Sequence, residues 1–143
     1  MDRYLNQNEI SSQLFHFDGE DPILLKVFIY LTDVSEKDGP FVYLEKSQNF
    51  FNKIQMIFLH GIHGISDLNF SPKLLPKVKK FTGSAGDIIF ADTNGYHKGN
   101  KLNSESSGRI LLNLSFVSKW PTSKPPIDGF ITYKSSSKLL SNL

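Results

Sequence analysis

Four short apolar-rich stretches, bounded by polar and turn residues, punctuate the chain. Residues 23–34 (ILLKVFIYLTDV) are rich in β-branched and aromatic side chains and lie between Asp21-Pro22 and a turn-like stretch at 35–40, which predicts a strand. A shorter strand is expected at 41–44, directly after Gly39-Pro40. Gly83 and Gly86 lead into DIIFAD at 87–92, a third strand, and RILLNLSFV at 109–117 has the period-2 alternation of a fourth. Residues 49–59 have a helical reading. Residues 71–80 are punctuated by proline and lysine and read as a connector, and 93–108 as a turn-rich segment. Residues 1–12 have no clear period and read as loop or frayed helix. Past Trp120, Pro121, Pro125 and Pro126 open a Ser/Lys-rich end. Residues 118–143 are therefore expected to be a loosely attached tail, with room for one short strand at 130–133.

Short strands, long connectors and little helix favour a mainly all-β architecture, a jelly-roll or cupin-like barrel. There is no regular strand–helix alternation of the kind a doubly wound α/β sheet needs. Side chains two apart in a strand share a face. On the last strand Arg109, Leu111, Asn113 and Ser115 share a polar face suited to a cavity. Ile110, Leu112, Leu114 and Phe116 share the other face, expected to be core. On the first strand Leu25, Val27, Ile29 and Leu31 form an apolar face. Lys26, Phe28 and Tyr30 form a mixed one that suits either a wet lumen, with Lys26 or Tyr30 touching an anionic group, or the solvent side.

Composition narrows the class. The 143 residues fit a single domain, with its core at 13–117. With 39% hydrophobic and 21% charged residues the chain reads as globular rather than disordered. A formal net charge of only +2 gives no electrostatic case for nucleic acid or a membrane surface as partner. With no cysteine, thiolate metal sites, disulfides and cysteine nucleophiles are excluded. The start of the chain has no apolar signal region, and no apolar run is long enough to span a bilayer. The cytoplasm is the expected compartment.

Candidate chemistry begins at His16-Phe17-Asp18. In an extended segment His16 and Asp18 project together, and an imidazole with a carboxylate supplies two ligands of a 2-His-1-carboxylate site with open positions. The triplet by itself is weak, because such triplets are common by chance. A third ligand has to come from His60, His63 or His97. His97 follows the 87–92 strand, within Gly95-Tyr96-His97-Lys98-Gly99, where barrel sites are often built. His60 and His63, in LHGIHG, read better as polar loop histidines, with a His/His pair plus Asp18 as the alternative site. Arg109 draws notice because fourteen of the sixteen basic residues are lysine. Its planar fork binds a carboxylate bidentately, where an ammonium acts as a point charge. The bland reading is a solvated arginine at a strand end.

Taken together, QLFHFDGEDPILLKVFIYLTDVSEKDGPFVYLEKS, GSAGDIIFADTNGYHKGN and RILLNLSF resemble, in order and separation, the phytanoyl-CoA dioxygenase (PhyH-like) family of iron(II)/2-oxoglutarate-dependent oxygenases. The resemblance covers most of residues 13–116. It implies a double-stranded β-helix with His16, Asp18 and His97 as ligands of Fe(II). Arg109 would hold the distal carboxylate of 2-oxoglutarate, with Phe28, and in the cavity reading Lys26, beside that co-substrate. The implied reaction is oxidative decarboxylation of 2-oxoglutarate to succinate, coupled to hydroxylation of a small organic substrate. The chain departs from the family in two places. Only fifteen residues precede His16, so a minimal or N-terminally truncated version is expected. The family's usual Gly-Ser-His ending after the GPF strand reads Glu45-Lys46-Ser47-Gln48 here.

The expected function is thus a dioxygenase acting on a small molecule. The alternative is a non-catalytic cupin-like binding or assembly module, or a fragment of a longer oxygenase. A nucleic-acid demethylase fits poorly with near-neutral charge and two arginines. Substrate contacts are expected from the loops at 46–80 and 100–107.

Overall fold

The computed structural model describes residues 11–60, 77–106 and 108–122. A 3-10 turn at Ser11–Gln13 is followed by β1 (Leu24–Tyr30), β2 (Phe41–Leu44), α1 (Phe50–His60), β3 (Val78–Phe81), β4 (Ile88–Ala91), β5 (His97–Gly99) and β6 (Leu111–Val117). The described residues are mainly β. They form two three-stranded antiparallel sheets, ordered β4-β1-β6 and β3-β2-β5.

The strands expected at 23–34, 41–44, 87–92 and 109–117 are present, the first trimmed to seven residues, and the helix expected at 49–59 is α1. Two strands fall where connectors were expected. β3 is VKKF, inside the Lys-punctuated stretch, and β5 is HKG, inside the turn-rich segment. Both are held by their ladders with β2 rather than by their own propensity. The strand expected at 130–133 lies outside the described residues.

The two sheets meet through Phe28 of β1 and Phe41 of β2, whose ring centroids are 4.7 Å apart. Phe28, Phe41 and Ala91 form one buried cluster between the sheets. Tyr30 fastens the same contact, since its hydroxyl donates to Phe81 O at 2.7 Å and accepts from Phe41 N–H at 3.3 Å. A second cluster, Phe15, Val42, Leu44, Met56 and Tyr96, lies on the far side of the second sheet, where α1 delivers Met56. Asp21 ties the ends of β1 and β6 together, accepting from Ile23 N–H at 2.6 Å and from Ser118 N–H at 3.0 Å.

One expectation is reversed by the fold. The apolar face of β6 is not core. Ile110 and Phe116 are 61% and 55% exposed, and they continue an outward apolar face across Leu25 and Leu31 to Phe90, which is 70% exposed. The pairs Leu25↔Phe116, Val27↔Leu114 and Val27↔Phe90 place these side chains on one side of the sheet. The polar face of β6 turns inward instead, as its cavity reading required.

The turn after β1 is pinned by Asp38. Its carboxylate accepts from Ser35 Oγ at 2.5 Å, Ser35 N–H at 2.9 Å and Ser106 Oγ at 2.7 Å. The Ser35 hydroxyl bond, then that of Ser106, holds its carboxyl at about 2, below the usual 3.8. A depressed folded-state value adds stability above 3.8 that is lost as pH falls toward about 2. Asp38→Asn is therefore expected to lower the melting temperature at neutral pH and to flatten its fall over that acid window. Thermal unfolding followed by circular dichroism across pH checks this, and an unchanged acid limb would refute it.

Candidate metal centre

Residues 14–18 run beside β5. His16 N–H donates to His97 O at 3.0 Å and His97 N–H to His16 O at 2.8 Å, an antiparallel bridge. Residues paired in this way send their side chains to the same face, and the two imidazole centroids are 4.4 Å apart. Asp18, two positions on, keeps that face, with its N–H bonded to Thr93 O at 2.9 Å.

The backbone before His97 is packed closely against β2 and the turn after it. A β-carbon at Gly95 would collide with the Tyr43 hydroxyl, which donates to Asp92 O at 2.9 Å. Ser47 Oγ accepts from Tyr96 N–H at 2.7 Å and donates to Leu44 O at 2.6 Å. Ser47, in segment 45–48, thus supplies the brace for the turn that delivers His97.

Both imidazoles are oriented by backbone carbonyls. His16 Nδ1 lies 2.7 Å from Leu14 O and His97 Nδ1 lies 2.9 Å from Gly95 O. A carbonyl only accepts, so Nδ1 carries a proton in both rings and Nε2 is the atom turned toward the site. The two Nε2 atoms face Asp18, at 3.9 Å from Oδ1 for His16 and 3.5 Å from Oδ2 for His97. All three ligand atoms lie within 4.8 Å of one another, and the group could hold a metal ion. Burial, then His16, pushes the His97 imidazole down to about 4, against the pull of Asp18, so it is neutral at ordinary pH, as a ligand must be. Burial raises the Asp18 carboxyl, but His97 and the Lys26 ammonium outweigh this and hold it below its ordinary value.

His16 and His97 of the triad line a cavity of about 200 Å³ between the sheets. β1 contributes Lys26 and Phe28, β2 Phe41, β5 His97 and Gly99, and the last strand Leu111 and Asn113, with Arg109 just ahead of it. Phe28 and Lys26 thus face the cavity, as the lumen reading of β1 requires. Lys26 Nζ is 2.6 Å from Asp18 Oδ2. Arg109 reaches in from the same sheet as Lys26, farther along the cavity, where a β-carbon on Gly99 would come within 2.9 Å of its Nη2. Its Nη1 is buried without a hydrogen-bond partner. Burial lowers its pKa, opposed by Tyr30, yet a guanidinium keeps its charge at any physiological pH. A buried, charged donor without an acceptor costs on the order of 1–3 kcal/mol, which an anionic ligand would recover.

The structure brings together all six residues singled out in the sequence: His16, Asp18, His97, Arg109, Phe28 and Lys26. His60 closes α1, and His63 lies outside the described residues. Gly99 and Phe41 were missed. A glycine inside a strand often marks a close approach by another group, but 93–108 reads as turns in the sequence, so Gly99 carries no such signal there. No helix among the described residues is long and apolar enough to cross a membrane. Comparison with protein-family models and with curated proteins found no match to the chain.

Proposed function

We propose that this chain is an iron(II)/2-oxoglutarate-dependent oxygenase of the phytanoyl-CoA dioxygenase type, hydroxylating a small organic substrate. The observation that carries the reading is a single cavity with two chemically distinct ends. At one end two imidazoles and a carboxylate converge. At the other a partly buried guanidinium has a buried, unpartnered Nη1. A dicarboxylate that also chelates a metal through its 2-oxo acid group suits both ends. Two nitrogens and one carboxylate oxygen are the donor set of non-haem iron(II) oxygenases, which leaves positions for co-substrate and oxygen. The bound iron would supply oxygen activation and electron transfer.

The protein's own residues would do the positioning. Leu14 and Gly95 carbonyls fix both imidazole tautomers, and such outer partners tune a metal site nearly as much as its ligands do. Arg109 would fix the distal carboxylate, with Phe28 and Phe41 as an apolar wall that excludes water from the co-substrate's methylene carbons.

Topology supports a double-stranded β-helix as the full form of the fold. From segment 14–18 onward the chain passes between the two sheets repeatedly, and that segment extends the second sheet beyond β5. The small substrate would enter over the loops that flank the cavity.

Anaerobic addition of iron(II) and 2-oxoglutarate should give the weak visible charge-transfer band of the chelated 2-oxo acid, and His97→Ala should lose it. Absence of the band from folded wild-type protein would refute the proposal. The exposed apolar face of sheet β4-β1-β6 favours a second reading, a binding or assembly module that keeps the fold without the chemistry. That reading predicts no band and no succinate formation.

A further inference from the structure

The Lys26 ammonium is not placed as a bystander to the triad. Asp18 Oδ2 is the oxygen that faces His97 Nε2, at 3.5 Å, and the same oxygen holds Lys26 Nζ at 2.6 Å. The side chains are only 15% and 11% exposed, so the pair is shielded from water and salt. A divalent ion seated between the two imidazoles and Asp18 would need this carboxylate. It would also sit beside a positive charge already bonded to it. Two cations cannot share one carboxylate oxygen at contact distance in a poorly solvated site without strong repulsion.

Lys26 has somewhere to go. It is anchored on β1, where Lys26 pairs with Ala91 and Ser115, and its side chain lines the same cavity that Arg109 enters farther along the same sheet. A lysine is a point charge on a flexible four-carbon stem and can trade one anion for another without the geometric demands of arginine.

We propose that Lys26 is an exchangeable counter-cation. It neutralises Asp18 while no metal is held, leaves Oδ2 when a divalent ion binds, and then pairs with the carboxylate of the anionic co-substrate at the metal end of the cavity. This rests on the metal-site reading above and adds an order to it. Metal binding frees a cation for the co-substrate, so the metal raises co-substrate affinity beyond the effect of chelation. Lys26 thus weakens metal binding and strengthens co-substrate binding. Its removal moves the two affinities in opposite directions, which loss of a merely structural residue would not do.

The test uses Lys26→Met, which keeps the stem and removes the charge, and Lys26→Arg, which keeps the charge, with folding of each verified by circular dichroism. Calorimetric titration with manganese(II) alone should show Lys26→Met binding more tightly than wild type by on the order of 10-fold, a usual size for coupling between two sites. Lys26→Arg should stay near wild type. The manganese-loaded Lys26→Met chain should bind 2-oxoglutarate more weakly than loaded wild type. As an independent readout, all lysines are reductively methylated with a ¹³C label, which preserves their charge. The resonance missing from Lys26→Met should shift when zinc(II) is added to the wild-type chain. Equal or weaker manganese affinity in Lys26→Met, or a Lys26 resonance indifferent to zinc, overturns the exchange while leaving the metal site standing. Failure of wild type and both variants alike to bind metal overturns the metal-site reading together with it.

Discussion

Asp18→Ala is expected to end iron(II) binding at stoichiometric protein and metal, with a loss of more than about 100-fold in affinity. Loss of an outer hydrogen-bond partner of a ligand already costs roughly 10–100-fold, and this substitution removes a ligand itself. It also removes the carboxylate that offsets Lys26, whose ammonium would then stand unpaired beside the two imidazoles and repel any dication. His16→Ala should cost less, because Asp18 and His97 keep their places. Calorimetry under anaerobic conditions checks both, and wild-type affinity in the two variants would remove the triad from the metal site. Stability should respond differently. Removing one member of a largely shielded ion pair leaves the other charge uncompensated, a cost of roughly 1–3 kcal/mol here, allowing for the residual exposure of both groups. The double variant Asp18→Ala/Lys26→Met should regain most of that stability in urea unfolding while recovering no metal binding. The double variant thereby separates the electrostatic role of the carboxylate in the folded chain from its role as a ligand.

How much of this was legible in the sequence depends on what each residue had to declare. β1, β2, β4 and β6 carry β-branched and aromatic runs between turn residues, so local pattern was enough to find them. β3 and β5 have four and three residues rich in lysine and glycine, and they are strands because β2 offers its hydrogen-bonding edges on both sides. No local signal encodes that. The pairing of His16 with Asp18 on one face followed from the period of an extended chain. Their meeting with His97 follows from a long-range bridge, which spacing alone cannot supply. Alternation in β6 showed two faces but not which one meets another layer. Hydrophobicity pointed to Ile110, Leu112, Leu114 and Phe116 as core, yet the inner side is the one with Arg109, Leu111 and Asn113. That side closes on Phe28, Phe41 and the triad, so the interior is a partly polar cavity while the apolar side faces outward. The ion pair between Lys26 and Asp18 was hidden for a related reason. The two lie eight residues apart, on β1 and on the segment beside β5, and only the facing of the two sheets joins them.

Arg109→Lys should weaken 2-oxoglutarate binding by about 10- to 100-fold and leave metal affinity where it was. Hydrogen bonds to a charged group contribute roughly 1.5–3 kcal/mol, which corresponds to that range. The guanidinium offers two parallel N–H groups in a fixed fork to a carboxylate, whereas an ammonium offers one compact charge. The surroundings make the difference larger than at an exposed site. Arg109 is partly buried, its Nη1 has no protein acceptor, and its Nη2 fits against Gly99 with no room for a β-carbon. A lysine at this position would be shorter and would leave space against Gly99 without reaching the position of Nη1. Metal affinity is untouched because the triad lies across the cavity, with its imidazoles oriented by Leu14 and Gly95 rather than by Arg109. Gly99→Ala provides a second approach to the same contact. It should displace the guanidinium and weaken the co-substrate in the same sense, with the arginine itself intact. Calorimetric titration of 2-oxoglutarate into manganese-loaded protein measures both effects. Unaltered affinity in Arg109→Lys would mean that the carboxylate binds elsewhere. Weakened metal binding in that variant would mean that Arg109 holds the fold of the cavity rather than its ligand.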